Sequence, residues 1–226
     1  MKLQALYAHY YVRPRFDFLG KGYLFIHPWN IKVFGAGITI GDYVNILTTS
    51  DNKVRLTVWP QEKGKGKIAI GKYCLICPGV RISSADAITI ADNCMLAGSV
   101  FITDCDWHGT YDRLTTIGRT APVHIGENVW LGDRVTVCKG VTIGENSIIG
   151  TGSVVVRNIP PNVIAAGNPA QVVKHLDTTQ PLVKREAWFA DPEKLNNEID
   201  MLDRQNLSGN TLLHWIRATI RPRTSD

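Results

Sequence analysis

The side chains that could do chemistry are concentrated in one stretch of this 226-residue chain, residues 103–122. The stretch contains three aspartates, two arginines and single histidine, tryptophan and tyrosine residues. Imidazole groups generally titrate near neutral pH, so His108 could remove a proton from a hydroxyl group at pH 7. Asp106, Asp104 or a backbone carbonyl could hold the other ring nitrogen of that base. We therefore predict that this stretch is a functional loop with His108, Asp106 and Asp104 as its catalytic candidates.

A six-residue repeat follows directly and supplies the scaffold for this loop. Read in sixes from residue 125, the first position is aliphatic six times in succession: Ile125, Leu131, Val137, Ile143, Ile149 and Val155. The second position is glycine in four of the first five units, and the fifth is small or β-branched. This period fits neither an α-helix nor a lone strand, but it fits a solenoid with a flat strand and a corner in each unit. The aliphatic side chains would fill the interior, and glycine would serve the corner through a positive φ or a close backbone approach.

Three motifs connect the loop and the repeat to a known family. They are Asp-x-Asp-Trp-His in the loop, Val-Trp-Leu-Gly at 129–132 and Ala-Gly-Asn-Pro-Ala at 166–170. Together they resemble the hexapeptide-repeat acyltransferases, in the branch of galactoside, maltose and polysaccharide O-acetyltransferases, over residues 34–174. The resemblance implies an all-β fold, the left-handed parallel β-helix, whose left hand runs against the usual crossover rule. It also implies a homotrimeric enzyme with active sites between subunits, in which His108 is the general base for acetyl transfer to a sugar or glycan hydroxyl. Acetyl-CoA would be a co-substrate, with no permanently bound cofactor.

The same resemblance implies the residues that bind the two substrates. Those expected to bind acetyl-CoA are Trp130, Asp133, Gly150, Thr151, Val156, Arg157 and Lys174. Those expected to bind the acceptor are Arg81, Ser84 and Asp86. Trp130 would shape the acceptor or pantetheine pocket, or else be an aromatic contact between subunits. Lys174 would meet the adenosine phosphates or be a solvated surface charge, and Gln171 stands where the family often has a basic residue.

The repeat also divides the chain. We predict an N-terminal cap at 1–33, a β-helix at 34–174 with loops at 48–67 and 103–122, and a C-terminal helical appendage at 175–226. In the appendage, Asp191 and Pro192 have the residue types of a helix start, and a second short helix is expected near 212–220. Its arginines surround apolar residues, which suits packing on the solenoid or on a neighbouring subunit, or peripheral contact with a membrane.

Composition and charge narrow the function classes. The formal net charge is +5 and is spread along the chain, which suits an anionic ligand better than nucleic acid. No apolar run is long enough to span a membrane, and the N-terminus lacks the features of a signal peptide. Together with an odd count of five cysteines, this predicts a cytoplasmic location.

The C-x-x-C pair and the histidines offer competing hypotheses of metal or redox chemistry. Cys74 and Cys77 occupy the fifth and second positions of hexads, where small residues belong, so we interpret both as structural. Hexapeptide-repeat proteins include zinc enzymes such as the γ-class carbonic anhydrases, which need three histidine ligands. Only His108 and His124 lie within the repeat here, and His124 alternates with apolar neighbours so that it should point outward. We therefore expect no metal site.

Two further hypotheses belong to other classes. An N-acetyltransferase acting on an amino sugar would be distinguished by screening acceptors. A non-catalytic scaffold built from the same repeats would bind no CoA. The sequence favours the O-acetyltransferase over both.

Overall fold

The structure is a computed structural model that describes residues 2–60, 65–191, 195, 197, 201, 204, 205 and 211–221. The chain divides into two compact units, Met1–Arg185 and Glu186–Asp226. Among the residues that the structure describes, the strands lie in the first unit and the helix near the C-terminus lies in the second.

Short strands dominate the first unit. In chain order they are β1 (Phe18–Leu19), β2 (Leu24–Ile26), β3 (Ile31–Phe34), β4 (Ile38–Ile40), β5 (Asn45–Leu47), β6 (Val54–Val58), β7 (Ile68–Ile70), β8 (Leu75–Ile76), β9 (Arg81–Ser84), β10 (Ile88–Ile90), β11 (Met95–Leu96), β12 (Phe101–Thr103), β13 (Val123–Ile125), β14 (Trp130–Leu131), β15 (Thr136–Val137), β16 (Thr142–Ile143), β17 (Ile148–Ile149), β18 (Val154–Val155), β19 (Val163–Gly167) and β20 (Ala170–His175). Helical segments are α1 (Lys2–Tyr7), a π-helix (Ala8–Val12), 3-10 turns (Arg13–Arg15, Pro28–Asn30, Arg185–Phe189) and α2 (Leu212–Ile220).

Every third strand joins the same sheet, which makes three parallel sheets around one core. Sheet A is ordered β1-β4-β7-β10-β13-β16, sheet B β2-β5-β8-β11-β14-β17-β19-β20 and sheet C β3-β6-β9-β12-β15-β18. Three consecutive strands therefore form one triangular coil, and six coils stack along the axis. The stacking keeps first-position residues in register, as in the column of Ile90, Ile125 and Ile143. This is the predicted left-handed parallel β-helix, and the interior aliphatic side chains are its core.

The corners reveal which residue in each hexad takes the unusual backbone conformation. The fourth position does so, since φ is 57° at Asn128, 56° at Arg134 and 59° at Asn146. The glycine at the second position serves close approach instead, because a Cβ on Gly126 would lie 2.7 Å from the backbone nitrogen of Glu145. Of the two roles expected for that glycine, only the close approach applies at this corner.

Asparagine at these corners also links successive coils. The Asn128 side-chain amide donates to Oδ1 of Asn146 at 3.0 Å, and the Asn146 amide donates to Oδ1 of Asn162 at 2.9 Å. All three residues have a positive φ, which asparagine tolerates better than most side chains. These three asparagines form a ladder of hydrogen bonds along the β-helix axis, at positions whose positive φ asparagine also tolerates.

We expect Asn146→Ala to lower the free energy of unfolding by about 2 kcal/mol, because alanine is strained at positive φ and both ladder bonds are lost. Asn146→Gly is the matched control, since it loses the same bonds without the strain and should cost less. Urea unfolding of the two variants measures the difference. Equal losses in both variants would contradict the conformational part of this explanation.

The first coil begins earlier than the sequence predicted. Strands β1, β2 and β3 lie within or at the edge of the predicted cap at 1–33, yet they pair in parallel with the second coil. The hexad pattern hid this coil because aromatic residues such as Phe16 and Phe25 take interior positions there. The helical segment at residues 2–15 precedes the coil, and its Ala8 and Val12 are buried in the core.

The predicted loop at 48–67 also contains a strand. β6 pairs with β3 and β9 and forms the third side of the second coil. It lacks the glycine of the repeat, but its burial alternates between interior and surface as a strand requires. The remaining excursion runs from Trp59 to Lys67, and residues 61–64 in it are outside the described part.

The C-terminal end of the solenoid is a hairpin of β19 and β20, joined through a cis peptide between Asn168 and Pro169. Beyond it, Lys184 forms an ion pair with Glu127 at 2.8 Å, and Arg185 donates to the Tyr73 carbonyl and to the Asn45 side chain. The predicted helix after Asp191 lies mostly outside the described residues, whereas α2 coincides with the second predicted helix. Among the residues that the structure describes, no helix is long and apolar enough to cross a membrane.

Candidate active site

The loop at 103–122 leaves sheet C after β12 and returns to sheet A at β13. Its two arms pair near the base, where the Asp106 amide donates to the Arg119 carbonyl at 2.9 Å and the Ala121 amide donates to the Asp104 carbonyl at 2.9 Å. The Gly118 amide also donates to the Asp106 carbonyl, at 2.7 Å. The loop is therefore held to the solenoid by a short antiparallel stem rather than by flexible ends.

Asp104 anchors this stem to the neighbouring coil. Its carboxylate is fully buried and accepts three hydrogen bonds: from the Ser84 hydroxyl at 2.6 Å, the Ala85 amide at 2.7 Å and the Asp86 amide at 3.0 Å. The carboxylate thus organises the backbone that follows β9. It is occupied in doing so and makes no recorded hydrogen bond to His108.

Asp106 fastens the stem on the other side. Its Oδ1 atom lies 2.6 Å from Nζ of Lys139, on the coil that follows the loop. Both side chains are about one-third exposed, so this pair contributes less than a buried one would. Lys139 was not among the residues expected at the site, and only the folded chain brings it to Asp106.

His108 lies beyond the stem and is exposed. Within the described part of the chain, the structure records no hydrogen bond to its imidazole ring. The two aspartates are near it in sequence but are engaged with Ser84 and Lys139. The structure therefore brings the candidate base next to rigidly held backbone, and it does not bring either carboxylate to the ring.

A cavity of about 520 Å³ opens between the outer face of sheet C and the loop. Its lining residues are Trp59, Arg81, Ser83, Phe101, Trp107, Thr116 and Ile117. Trp107, Thr116 and Ile117 of the lining belong to the loop that carries His108, whereas His108 itself does not line the cavity. Aromatic walls with a few polar groups are typical of sites for small ligands.

Of the three residues expected to bind the acceptor, the structure places only Arg81 in this cavity. Ser84 is fully buried, and its hydroxyl is bound to Asp104 and to the Lys67 carbonyl. Ser83 lies in the cavity instead, and Asp86 is half-buried at the turn held by Asp104. The alternation of the strand could have shown this, because Ile82 is interior and its neighbours 81 and 83 must face outward.

Sequence reasoning also missed three aromatic residues of the cavity. Trp59 directly follows β6, a strand that we did not predict from the sequence. Phe101 faces outward from β12. Trp107 was noted only as part of a motif. What could have identified these three aromatic residues is that they occupy outward-facing positions close to the loop.

The residues expected to bind acetyl-CoA are on the surface of the later coils. Trp130 is 44% exposed on sheet B, and Val156, which follows β18, is 46% exposed. Asp133 lies at the corner between sheets B and C, where its Oδ1 accepts the Gly98 amide at 2.7 Å. The others follow the same surface: Gly150 and Thr151 at that corner, Arg157 after β18 and Lys174 on β20.

The cysteines are all free thiols in the structure. Cys74 is buried, and its pKa is well above the usual range because of its hydrogen bond with Cys94 and its burial. Burial raises the pKa of Cys105 to about 11, with further contributions from Asp104 and Asp106. Among the described residues, no group of three or more histidine, cysteine or acidic side chains could hold a metal ion. His124 points outward from β13, as predicted.

Comparison with known proteins supports the resemblance seen in the motifs. Residues 122–157 match the family described as bacterial transferase hexapeptide (six repeats). Galactoside O-acetyltransferase of Escherichia coli is 42% identical over 92 residues, which cover 40% of this chain and 45% of that protein. A putative acetyltransferase of Saccharomyces cerevisiae is 52% identical over 64 residues, which cover 28% of this chain and 33% of that protein. The chain thus matches less than half the length of each relative.

The fold has a counterpart among solved structures. The N-acyltransferase AntD of Bacillus cereus, a mutant in complex with dTDP and coenzyme A, is similar with a TM-score of 0.50. The match covers 87% of this chain and 94% of that chain at 18% sequence identity. This likeness shows a shared fold. The matched repeats and the galactoside O-acetyltransferase relative confirm the predicted resemblance to the hexapeptide-repeat acyltransferases.

Proposed function

We propose that this chain, whose residues 122–157 are bacterial transferase hexapeptide repeats, is an acetyl-CoA-dependent O-acetyltransferase acting on a sugar or glycan hydroxyl. One observation carries the proposal: an exposed histidine lies on a loop with a hydrogen-bonded stem, and other residues of that loop line an aromatic cavity on the scaffold of such enzymes. Oxygen rather than nitrogen is proposed as the acetyl acceptor because the relative of 42% identity over 92 residues is named a galactoside O-acetyltransferase.

In the proposed reaction, an acceptor hydroxyl in the cavity attacks the thioester carbonyl of acetyl-CoA. His108 takes the hydroxyl proton as the new C–O bond forms. The tetrahedral intermediate then collapses, the C–S bond breaks, and the thiolate of CoA receives the proton from the imidazolium. Acetyl ester and free CoA are the products, and the base returns to its neutral form.

Asp104 and Asp106 serve as positioning residues in this proposal. Asp104 holds the start of the loop against the turn after β9, and Asp106 holds it against Lys139. Both contacts restrict where His108 can lie relative to the cavity, which is what a general base requires. The ring itself stays accessible to an acceptor.

The donor would lie along the later coils. Trp130, Asp133, Gly150, Thr151, Val156, Arg157 and Lys174 are the residues proposed to bind it. The basic groups of Arg157 and Lys174 are exposed and suit the phosphates of CoA.

A homotrimer with active sites between subunits completes the proposal. The loop that carries His108 also exposes two large apolar side chains, Tyr111 at 99% and Leu114 at 89%. Such exposure is costly for a single chain and suits burial against a second copy. We place the enzyme in the cytoplasm, where free cysteines stay reduced.

We expect acetyl-CoA to raise the melting temperature of the protein in a saturable way. Ligand at 100 times its dissociation constant should stabilise the folded state by about 2.7 kcal/mol. A thermal-shift titration measures this, with zinc chloride titrated in parallel as the control for the metal hypothesis. No shift with acetyl-CoA at millimolar concentration would contradict the proposal, and a shift with zinc alone would favour a metal site.

A further inference from the structure

Three basic side chains form a column on the outer face of sheet C. Lys32 on β3 is in register with Arg55 on β6, and Arg55 is in register with Arg81 on β9. All three side chains are exposed. Because neighbouring strands lie about 4.8 Å apart, the column places one positive charge on each of three consecutive coils.

The column is not neutralised within the described part of the chain. No recorded ion pair involves Lys32, Arg55 or Arg81 there, and the Lys32 amine donates only to the Trp29 carbonyl, at 3.1 Å. Like charges directly opposite one another on a sheet destabilise it. The repulsion among these three positive charges therefore destabilises the sheet, and a bound anionic ligand would reduce it.

The column ends at the aromatic cavity. Arg81 belongs to both, and its guanidinium carbon lies 3.9 Å from the centre of the Phe101 ring, which is the next residue in the column. Beside the column, the rings of Phe34 and Trp59 lie 4.3 Å apart and are about half exposed. Flat aromatic surfaces beside guanidinium groups suit a sugar ring that carries an acidic group.

We propose that the column of Lys32, Arg55 and Arg81 binds the acceptor, and that the acceptor is an acidic glycan with carboxylate-bearing sugars. The inference rests on the proposed function and names its substrate class. One sugar would occupy the cavity lined by the loop that carries His108, with its ring against Trp59 and Phe101. The preceding sugars would follow the column toward the first coil and pair their carboxylates with Arg55 and Lys32.

The position of the column separates it from the proposed donor site. The column lies on the first three coils, whereas the residues proposed for acetyl-CoA lie on the fifth and sixth coils and the hairpin after them. The loop leaves the fourth coil and lies between the two, and the cavity beneath it extends over the second to fourth coils and overlaps the column at Arg81. The order along the axis is therefore acidic acceptor, reacting hydroxyl and acetyl donor.

The phosphates of CoA are the other source of negative charge that such a column could bind. The test therefore measures both ligands. The acceptor probe is an oligogalacturonate, an acidic oligosaccharide with one carboxylate on each sugar, and its neutral control is the methyl ester of the same oligosaccharide. Binding is followed with the full-length protein by isothermal titration calorimetry at low and moderate salt.

We expect the unchanged protein to bind the oligogalacturonate and to bind its methyl ester much more weakly. The double variant Arg55→Gln/Arg81→Gln should lose at least about tenfold in affinity for the acid, because charge-assisted hydrogen bonds are lost. Its affinity for acetyl-CoA should not change. The matched control is Arg13→Gln/Arg15→Gln, which removes the same net charge outside sheet C and should leave both affinities unchanged.

Each other result overturns the inference. It fails if the unchanged protein binds acid and ester equally or binds neither, if the control variant loses as much affinity, or if the column variant loses acetyl-CoA instead. It also fails if size-exclusion chromatography shows that the column variant changes oligomeric state, because the column would then be a subunit contact. In all these cases retained binding of acetyl-CoA to the unchanged protein leaves the proposed function standing.

Discussion

Replacing His108 with alanine is expected to lower turnover by at least about 100-fold, because a positioned general base typically contributes two to four decades of rate. The fold should be unaffected. The ring is exposed, and the described residues make no recorded hydrogen bond to it, so truncation removes few contacts. Turnover is measured as the release of free CoA from acetyl-CoA with a sugar acceptor that the unchanged protein uses.

The matched control for this variant is His124→Ala. His124 is also an exposed histidine, but it lies on β13 and outside the loop. Its removal should leave turnover unchanged. This result would show that the loss of turnover in His108→Ala comes from His108 itself and not from the loss of any exposed histidine. Turnover of His108→Ala close to that of the unchanged protein would refute the assignment of the base, and circular dichroism of both variants checks that they fold.

The regular part of the fold was predictable because its signal is strictly local. Each hexad between 125 and 156 carries an interior aliphatic residue and a small partner. Stacked coils are the arrangement that buries all of these aliphatic residues together, so the pattern predicts the solenoid. The first coil and β6 were not predictable in this way. There the interior is filled by residues such as Phe25 and Leu56 without the accompanying glycine, so only pairing with a finished neighbouring coil identifies the strands.

The sequence could predict the candidate residues of the site but not the contacts that they make. The loop and His108 could be found because an interruption of the repeat is visible in the sequence. The partners of Asp104 and Asp106 could not be found, since Ser84 and Lys139 are distant in sequence and are brought close by the coil geometry. The sequence suggested Ser84 as an acceptor contact, whereas the structure buries Ser84 and places Ser83 in the cavity. A shift of one residue along a strand exchanges the interior for the surface.

Asp104 distinguishes the two explanations of the acidic residues in the loop. The sequence suggested that its carboxylate orients His108, whereas the structure shows it fully buried and accepting hydrogen bonds from Ser84, Ala85 and Asp86. The two explanations predict different effects of replacing Asp104. Loss of an anchor appears first in stability, and loss of an orienting group appears in turnover alone.

We expect Asp104→Ala to lower the free energy of unfolding by about 3 kcal/mol, because the buried Ala85 amide and the partly buried Asp86 amide would lose their acceptor and the Ser84 hydroxyl would lose one of its two partners. Asp104→Asn should cost less, since it keeps the shape and one acceptor oxygen. Asp106→Ala is the control. Its partly exposed pair with Lys139 should contribute no more than about 1 kcal/mol. Urea unfolding gives these differences, and hydrogen exchange at the amides of Ala85 and Asp86 should accelerate in Asp104→Ala. If that variant instead unfolded like the unchanged protein but lost turnover, its carboxylate would act on His108, and the anchoring explanation would be wrong.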